Sequence, residues 1–332
     1  MRIWRWIGSG VVAFAVTVSL INASWIAPRP KGPLILVAHR GLGQQFDHEG
    51  VGRDTCTASR IRPSEHDFIE NTLRSMSNAR HFGADAIELD VHPTKDGQMV
   101  VFHDWTLDCR TDGRGPVRQK TLAELKRLDV GYGYTHDGGR TFPLRGRGVG
   151  GMPTVEEALR ETPRMRLFFN FKSKDPRDAD GLVAAFRRAG VKIDDKHVFY
   201  GHPIVTARLK QLVPGARTFW KEEMRACLTD YVKFGWTSYV PESCRGKIVA
   251  VPLNYQWAIW GWPKRFLARM ESVGTKVILL GPYEKGEIAG IERPEQPPRF
   301  RATSAATSGS RISTRSGGRL RIEFPSLNTG RG

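Results

Sequence analysis

Between residues 34 and 293, short β-branched or aromatic runs alternate with helical patterns, and this alternation confines the chain to the α/β class. The strand candidates are 34–38, 86–91, 99–102, 166–171, 197–200, 216–220, 247–253 and 276–280. Several are continuously apolar, as parallel strands covered on both faces must be. Helices fit between most of them. Thr121-x-x-Glu124 and Thr154-x-x-Glu157 are capping boxes that open the Leu122/Leu125/Leu128 and Val155/Leu159 stripes. Residues 178–189 present Leu182 and Phe186 and stop at Gly190, a C-terminal cap, while Trp262, Phe266, Met270 and Val273 form a stripe ending at Gly274. Eight strands with interleaved helices predict a (β/α)8 barrel. A doubly wound open sheet is the alternative, and the absence of GxGxxG after the first strand argues against its dinucleotide-binding form. One connection is too short for a crossover helix: Pro93-Thr94-Lys95-Asp96-Gly97 implies either a hairpin or a barrel lacking one helix.

Composition places the rest. Of 332 residues 40% are hydrophobic and 26% charged, which is globular and ample for one large core. The net charge of +17 attracts anions, with phosphate on nucleic acid, lipid or a small substrate the first to consider. Much of that excess lies outside the alternating region. Residues 1–33 hold Arg2, Arg5, Arg29 and Lys31 with no acid, around an apolar run from Ile7 to Ala27. That run reads as a transmembrane anchor or a signal peptide cleaved after Ala23, and either places the remainder outside the cytoplasm. Residues 299–332 hold seven arginines and one acid among Ser, Thr and Gly, with no apolar period, and are expected to be a disordered basic tail. With only Phe300 and Phe324 as aromatics there, no nucleic-acid partner is expected. The domain boundaries so predicted are 1–33, 34–298 and 299–332.

Cys56, Cys109, Cys227 and Cys244 form an even set without CxxC spacing, which disfavours zinc. In an oxidising compartment three pairings are open; 56–109 with 227–244 is the expected one, with four buried thiols as the alternative.

Polar residues gather where the strands end. His39-Arg40-Gly41 follows the first; Glu88 and Asp90 lie two apart on one face of the second; His103-Asp104 follows the third; Asn170 and Lys172 close the fourth. In a barrel, the carboxyl ends of the strands build the active site. Two imidazoles, two carboxylates, an arginine and a lysine there describe a metal-assisted phosphate site. The carboxylates hold a hard divalent cation, the cation and basic groups neutralise phosphoryl oxygens, and the histidines exchange protons with nucleophile and leaving group.

Several motifs, taken in order, resemble the glycerophosphodiester phosphodiesterase family. They are His39-Arg40-Gly41, Glu70-Asn71-Thr72, the 83–91 stretch ending Glu88-Leu89-Asp90-Val91, Thr94-Lys95-Asp96-Gly97, and Val100-Val101-Phe102-His103-Asp104. Arg110-Thr111, Gly113-x-Gly115 and Pro153-Thr154 continue the pattern, which is strong over residues 34–175. The resemblance implies a (β/α)8 barrel related to phosphoinositide-specific phospholipases C. It also implies a Ca²⁺- or Mg²⁺-dependent cleavage of glycerophosphodiesters, or of lysophospholipid-like substrates, to an alcohol and glycerol 3-phosphate. By resemblance His39 and His103 are the acid–base pair, Arg40 and Lys172 bind substrate, Glu88 and Asp90 hold the metal, and Glu70 is either a further metal ligand or a support for the groups that hold it.

Three departures bear on that expectation. Asn170 stands where the family commonly carries a third carboxylate; an amide oxygen still coordinates, without charge, so Asn170 is kept as a weak metal ligand. Residues 44–67 are a long insertion in the first loop. The family's closing strand is not recognisable after Gly290. These leave open a phospholipase D-like or cyclising enzyme and a catalytically impaired phosphate-binding barrel. Tyr255, Trp257, Trp260 and Trp262 either pack in the core, line the pocket or meet a membrane surface.

Overall fold

The computed structural model describes residues 2–31, 35–52, 55–284, 287–288 and 306–310. In chain order the elements are α1 (Arg2–Ile21), β1 (Ile35–His39), α2 (Leu73–His81), β2 (Ala86–Pro93), β3 (Met99–Val101), α3 (Leu122–Leu125) and α4 (Val155–Glu161). Then follow β4 (Arg166–Phe171), α5 (Arg177–Ala189), β5 (Val198–Tyr200), α6 (Pro203–Leu212), β6 (Arg217–Phe219) and α7 (Lys221–Phe234). The last are β7 (Ile248–Pro252), α8 (Lys264–Ser272), β8 (Lys276–Leu280), the small hairpin β9 (Tyr283–Glu284) and β10 (Glu287–Ile288), and β11 (Ala306–Ser310).

Eight parallel strands form the path β6-β5-β4-β2-β1-β11-β8-β7, and its two end strands, β6 and β7, lie in contact. This is the expected (β/α)8 arrangement, with two corrections to its membership. The 99–102 candidate is not a stave: β3 pairs antiparallel with β2, Val91 opposite Val101, so the short connection is a hairpin. The missing stave comes from the segment expected to be disordered. β11 pairs in parallel with β1 (Leu36 opposite Ser308) and with β8 (Ile278 opposite Thr307). Its Ala-Thr-Ser-Gly-Ser sequence carries no apolar period, yet the open edges of β1 and β8 need only backbone N–H and C=O groups to complete both ladders. The rest of 299–332 lies outside the described residues.

Strand alternation sorts the core into two layers. Val37, Ala86, Phe168, Val198, Phe219, Ile248, Ala250 and Ile278 fill the barrel interior. Ile87, Leu89, Leu167, Phe169 and Phe199 point outward, where Leu182 and Phe186 of α5 and Leu159 of α4 cover them. Both capping boxes form as read: Thr121 with Glu124, and Thr154 with Glu157. Gly190 caps α5 in the left-handed region at φ 71.

The N-terminal expectation also changes. Among the described residues no helix is long and apolar enough to cross a membrane. The helix stops at Ile21 rather than reaching Ala27, and Gly8-Ser9-Gly10 interrupts its apolar part. Residues 11–21 alone would cover about 16 Å, roughly half a hydrocarbon core. The chain is then drawn onto α7 and α8. Asn22 Nδ2 donates to Trp236 O (2.8 Å), Lys264 N donates to Ser24 Oγ (2.9 Å), and Ala23 is buried. Residues 21–24 are therefore joined to α7 and α8, while most of α1 stays exposed.

Disulfides join Cys56 to Cys109 and Cys227 to Cys244, the expected pairing. They close separations of 53 and 17 residues, which chain entropy converts to about 4 and about 3 kcal/mol. Of the aromatic cluster, Trp262 packs against Phe266, Tyr255 meets the Tyr283 ring, Trp260 Nε1 donates to Val232 O (2.8 Å), and Trp257 is 82% exposed.

Candidate active site

The inward-facing alternation that builds the core also aims the polar side chains. In β2, Ala86 fills the interior and Glu88, Asp90 and His92 continue the same face toward the carboxyl end. In β4, Asn170 follows Phe168 on that face, with Lys172 next beyond the strand; in β5, Tyr200 follows Val198. The register puts His39 opposite Glu88, Asp90 opposite Asn170, and Asn170 opposite Tyr200. Six of the eight expected site residues thus share one strand-end layer: His39, Arg40, Glu88, Asp90, Asn170 and Lys172. His103 arrives just beyond β3 and Glu70 just before α2.

Two non-glycine residues there adopt the left-handed conformation, Arg40 and Asn71, both at φ 58, and Asn71 N donates to Arg40 O (2.8 Å). Such strain persists only where surrounding contacts impose it. Gly41 follows at φ 72, and a Cβ there would collide with Ser75 Oγ, which accounts for glycine in His39-Arg40-Gly41.

Asp90, 1% exposed, is the electrostatic centre. Asn170 Nδ2 donates to Oδ1 (2.9 Å) and Asn71 Nδ2 to Oδ2 (3.1 Å); Lys172 Nζ lies 3.5 Å from Oδ1. Arg40 Nε is 3.2 Å from Oδ2, an ion-pair distance without hydrogen-bond geometry. Burial alone would raise this carboxyl, but Lys172, His103, Arg40 and His39 hold it well below the usual range. Glu88 goes the other way: burial first, then the charge of Asp90, push it up to about 8. Tyr200 Oη donates to Glu88 Oε1 (2.6 Å), Arg40 N donates to Oε2 (3.2 Å), and His39 Nε2 stands 3.8 Å from Oε2.

His103 pairs through Nδ1 with Asp104 Oδ1 (2.6 Å). Burial, then Arg40, lowers the imidazole to about 4, so the ring is neutral at pH 7. With Nδ1–H donated to Asp104, Nε2 carries the lone pair. Arg110 Nε donates to Asp104 Oδ2 (2.9 Å), and against the opposing effect of burial Arg110 and His103 bring Asp104 to about 2.

Glu70 lies between two arginines. Its Oε1 accepts from Arg40 Nη1 (2.8 Å) and lies 3.4 Å from Arg110 Nη1. Two guanidinium groups therefore face the same carboxylate oxygen. Among the described residues no cluster of three or more His, Cys, Asp and Glu is placed to hold a metal ion. Sequence reading also missed Tyr200, although its position two residues after Val198 at a strand end was a usable signal. Arg110 and Asn71 were seen only as motif members, because their burial against the site comes from loops meeting in space.

The sequence profile of the glycerophosphoryl diester phosphodiesterase family matches residues 39–211, more than half of the chain and the part carrying this site. The chain belongs to that family. An uncharacterized protein of Mycobacterium tuberculosis is 36% identical over 124 residues, which are 37% of this chain and 41% of that protein. A glycerophosphodiester phosphodiesterase of Bacillus subtilis is 34% identical over 148 residues, 43% of this chain and 48% of that protein. The chain thus spans less than half the length of these curated relatives. The fold likeness is broader. The glycerophosphoryl diester phosphodiesterase domain of the Mycobacterium tuberculosis protein superposes with TM-score 0.60 at 21% identity, covering 84% of this chain and 96% of that one. A phosphodiesterase of Oleispira antarctica, solved with its product sn-glycerol-3-phosphate, gives 0.55 at 18% identity over 83% and 93%.

Proposed function

We propose that this family member is a metal-dependent phosphoric diester hydrolase that splits glycerophosphodiesters into an alcohol and glycerol 3-phosphate. The observation that carries the reading is the convergence of His39, His103, Glu88, Asp90, Arg40 and Lys172 at the carboxyl ends of β1, β2, β3 and β4. The product-bound Oleispira antarctica relative supports the substrate class.

The residues present fit a hard divalent cation, Ca²⁺ or Mg²⁺. Glu88 and Asp90 are buried side by side at a cost that shows in the raised Glu88 carboxyl, and a cation held by them would relieve it. Among the described residues Asn71 Oδ1 is buried with no hydrogen-bond partner, an oxygen suited to a positive charge. Glu88 and Asp90 would hold the ion, with amide oxygens from Asn71 and Asn170 in place of a third carboxylate. Glu70 serves instead to position Arg40. When bound, the cation supplies charge to the phosphoryl oxygens.

Lys172 adds a second positive charge for those oxygens, and Arg40 orients the two carboxylates. His103, neutral with its Nε2 lone pair available, takes the proton of the attacking water as the new P–O bond forms. His39 donates a proton to the departing alkoxide as the old P–O bond breaks. The same pair serves attack by a substrate hydroxyl, which would give a cyclic phosphate; the Asn170 substitution motivates that second reading. Both disulfides support an oxidising, extracytoplasmic location.

The test is a panel of glycerophosphodiesters and lysophospholipids assayed with and without EDTA, products read by ³¹P NMR. Hydrolysis that EDTA abolishes and that falls at least a hundredfold in His103→Ala is expected. Turnover that survives chelation defeats the metal-dependent mechanism. A cyclic product selects the second reading, and no turnover with retained cation binding selects an impaired, phosphate-binding barrel.

A further inference from the structure

The 44–67 insertion is built into the domain. Gln44 Nε2 donates to His66 O (2.9 Å) and Phe68 O (2.8 Å), and Phe46 bridges Ile61. Ala58 and Ile61 are buried with Leu107, Tyr134 and Leu144, while Thr135 N donates to Ala58 O (2.9 Å). The Cys56–Cys109 disulfide clamps this segment beside the site, and the residue following each cysteine is joined to the other. Arg110 Nη2 donates to Thr57 Oγ1 (2.7 Å).

Arg110, 2% exposed, uses every nitrogen of its planar fork. Nε holds Asp104, Nη1 reaches Tyr134 Oη (2.9 Å) and Glu70, and Nη2 holds Thr57. Because the fork is rigid, releasing Nη2 lets it turn and draws Nε away from Asp104. Asp104 is the group that orients the His103 ring, and Glu70 the one that orients Arg40.

We propose that Thr57, fixed by the Cys56–Cys109 disulfide, is a positioning residue that sets the orientation of His103 through Arg110 and Asp104. The insertion therefore contributes to turnover without touching substrate. The proposal rests on the reading of His103 as the proton acceptor in diester hydrolysis.

The test uses the full, oxidised chain with glycerophosphocholine and saturating Ca²⁺, below all thermal transitions. Thr57→Val should lower kcat about tenfold or more while KM stays within twofold and Tm barely moves; Thr57→Ser should restore kcat. Cys56→Ser/Cys109→Ser should lose kcat similarly, whereas Cys227→Ser/Cys244→Ser should lower Tm and keep kcat. Full kcat in Thr57→Val, or equal kcat loss in both disulfide variants, overturns the coupling. If the wild-type chain turns over no diester, the hydrolase reading is what fails. The ¹⁵N shifts of the His103 ring then read the coupling by themselves. A changed tautomer signature in Thr57→Val supports it, and identical spectra overturn it.

Discussion

Arg269 offers a test of whether the N-terminal segment is part of the fold. The residue is 8% exposed and its guanidinium has five hydrogen-bond partners. Nη1 donates to Asn22 Oδ1, Tyr231 Oη and Gly235 O, each at 2.9 Å. Nη2 donates to Ile21 O (2.9 Å) and Ser238 Oγ (2.7 Å). Arg269→Met keeps the length of the side chain and removes every donor. Two backbone carbonyls then lose a buried partner, at about 1–3 kcal/mol each. The desolvation of the guanidinium, no longer required, offsets part of that loss. Breaking a buried network from one side costs about 3–5 kcal/mol net. At roughly 2 °C per kcal/mol for a domain of this size, Tm should fall by about 6–10 °C. Arg269→Lys should recover only part, since an ammonium cannot span five acceptors in a plane. Thermal unfolding followed by circular dichroism reads the change, and kcat should be unaltered, because α8 packs on the outside of the barrel. A double-mutant cycle closes the reasoning: deleting residues 2–24 should destabilise by a similar amount, and adding Arg269→Met to the deletion should cost much less than in the full chain. A Tm within about 2 °C of wild type in Arg269→Met, or full additivity in the cycle, would refute docking of the segment by this residue.

Two further outcomes follow from the site. His92 and His103 are both lowered to about 4, chiefly by burial, whereas an unfolded chain protonates them near the ordinary 6.5. At these two histidines the unfolded state therefore binds more protons between those values, so their contribution to stability is complete above pH 6.5 and is lost as pH falls toward 4, while Glu88, raised to about 8, contributes in the opposite direction. At pH 5 each histidine accounts for about 2 kcal/mol; in a metal-free Glu88→Gln protein, which removes the opposing carboxyl, equal urea midpoints at pH 7 and pH 5 would contradict this. Asn170→Glu places a third carboxylate beside Asp90, and calorimetric Ca²⁺ affinity should rise at least tenfold. An unchanged Kd would remove position 170 from the cation's surroundings.

What could be read along the chain was whatever depends on neighbours in sequence. Strand alternation alone aligned Glu88 with Asp90 and Asn170 with Lys172, and the capping boxes at Thr121 and Thr154 depend on residues three apart. The ordered motifs fixed the family before any contact was known. The disulfide pairing, too, followed from which loops a barrel brings near one another.

Other features depended on contacts between distant segments. Glu70 reads in sequence as a metal ligand or as a support for the site, and only the folded chain brings two arginines, 30 residues before it and 40 after, to its Oε1, because ion pairing in a buried site is settled by geometry. The eight strand candidates matched the count of staves while one of them, 99–102, belonged to a hairpin. The eighth stave, Ala306–Ser310, has no pattern to find: backbone pairing is blind to side chains, and only the gap between β1 and β8 specifies it. The sequence alone therefore determined the alternating fold, the family and the residue types of the site. The tertiary structure decided which groups surround each carboxylate, how His103 is held, and which segment closes the barrel, since each depends on groups that meet only after the chain has folded.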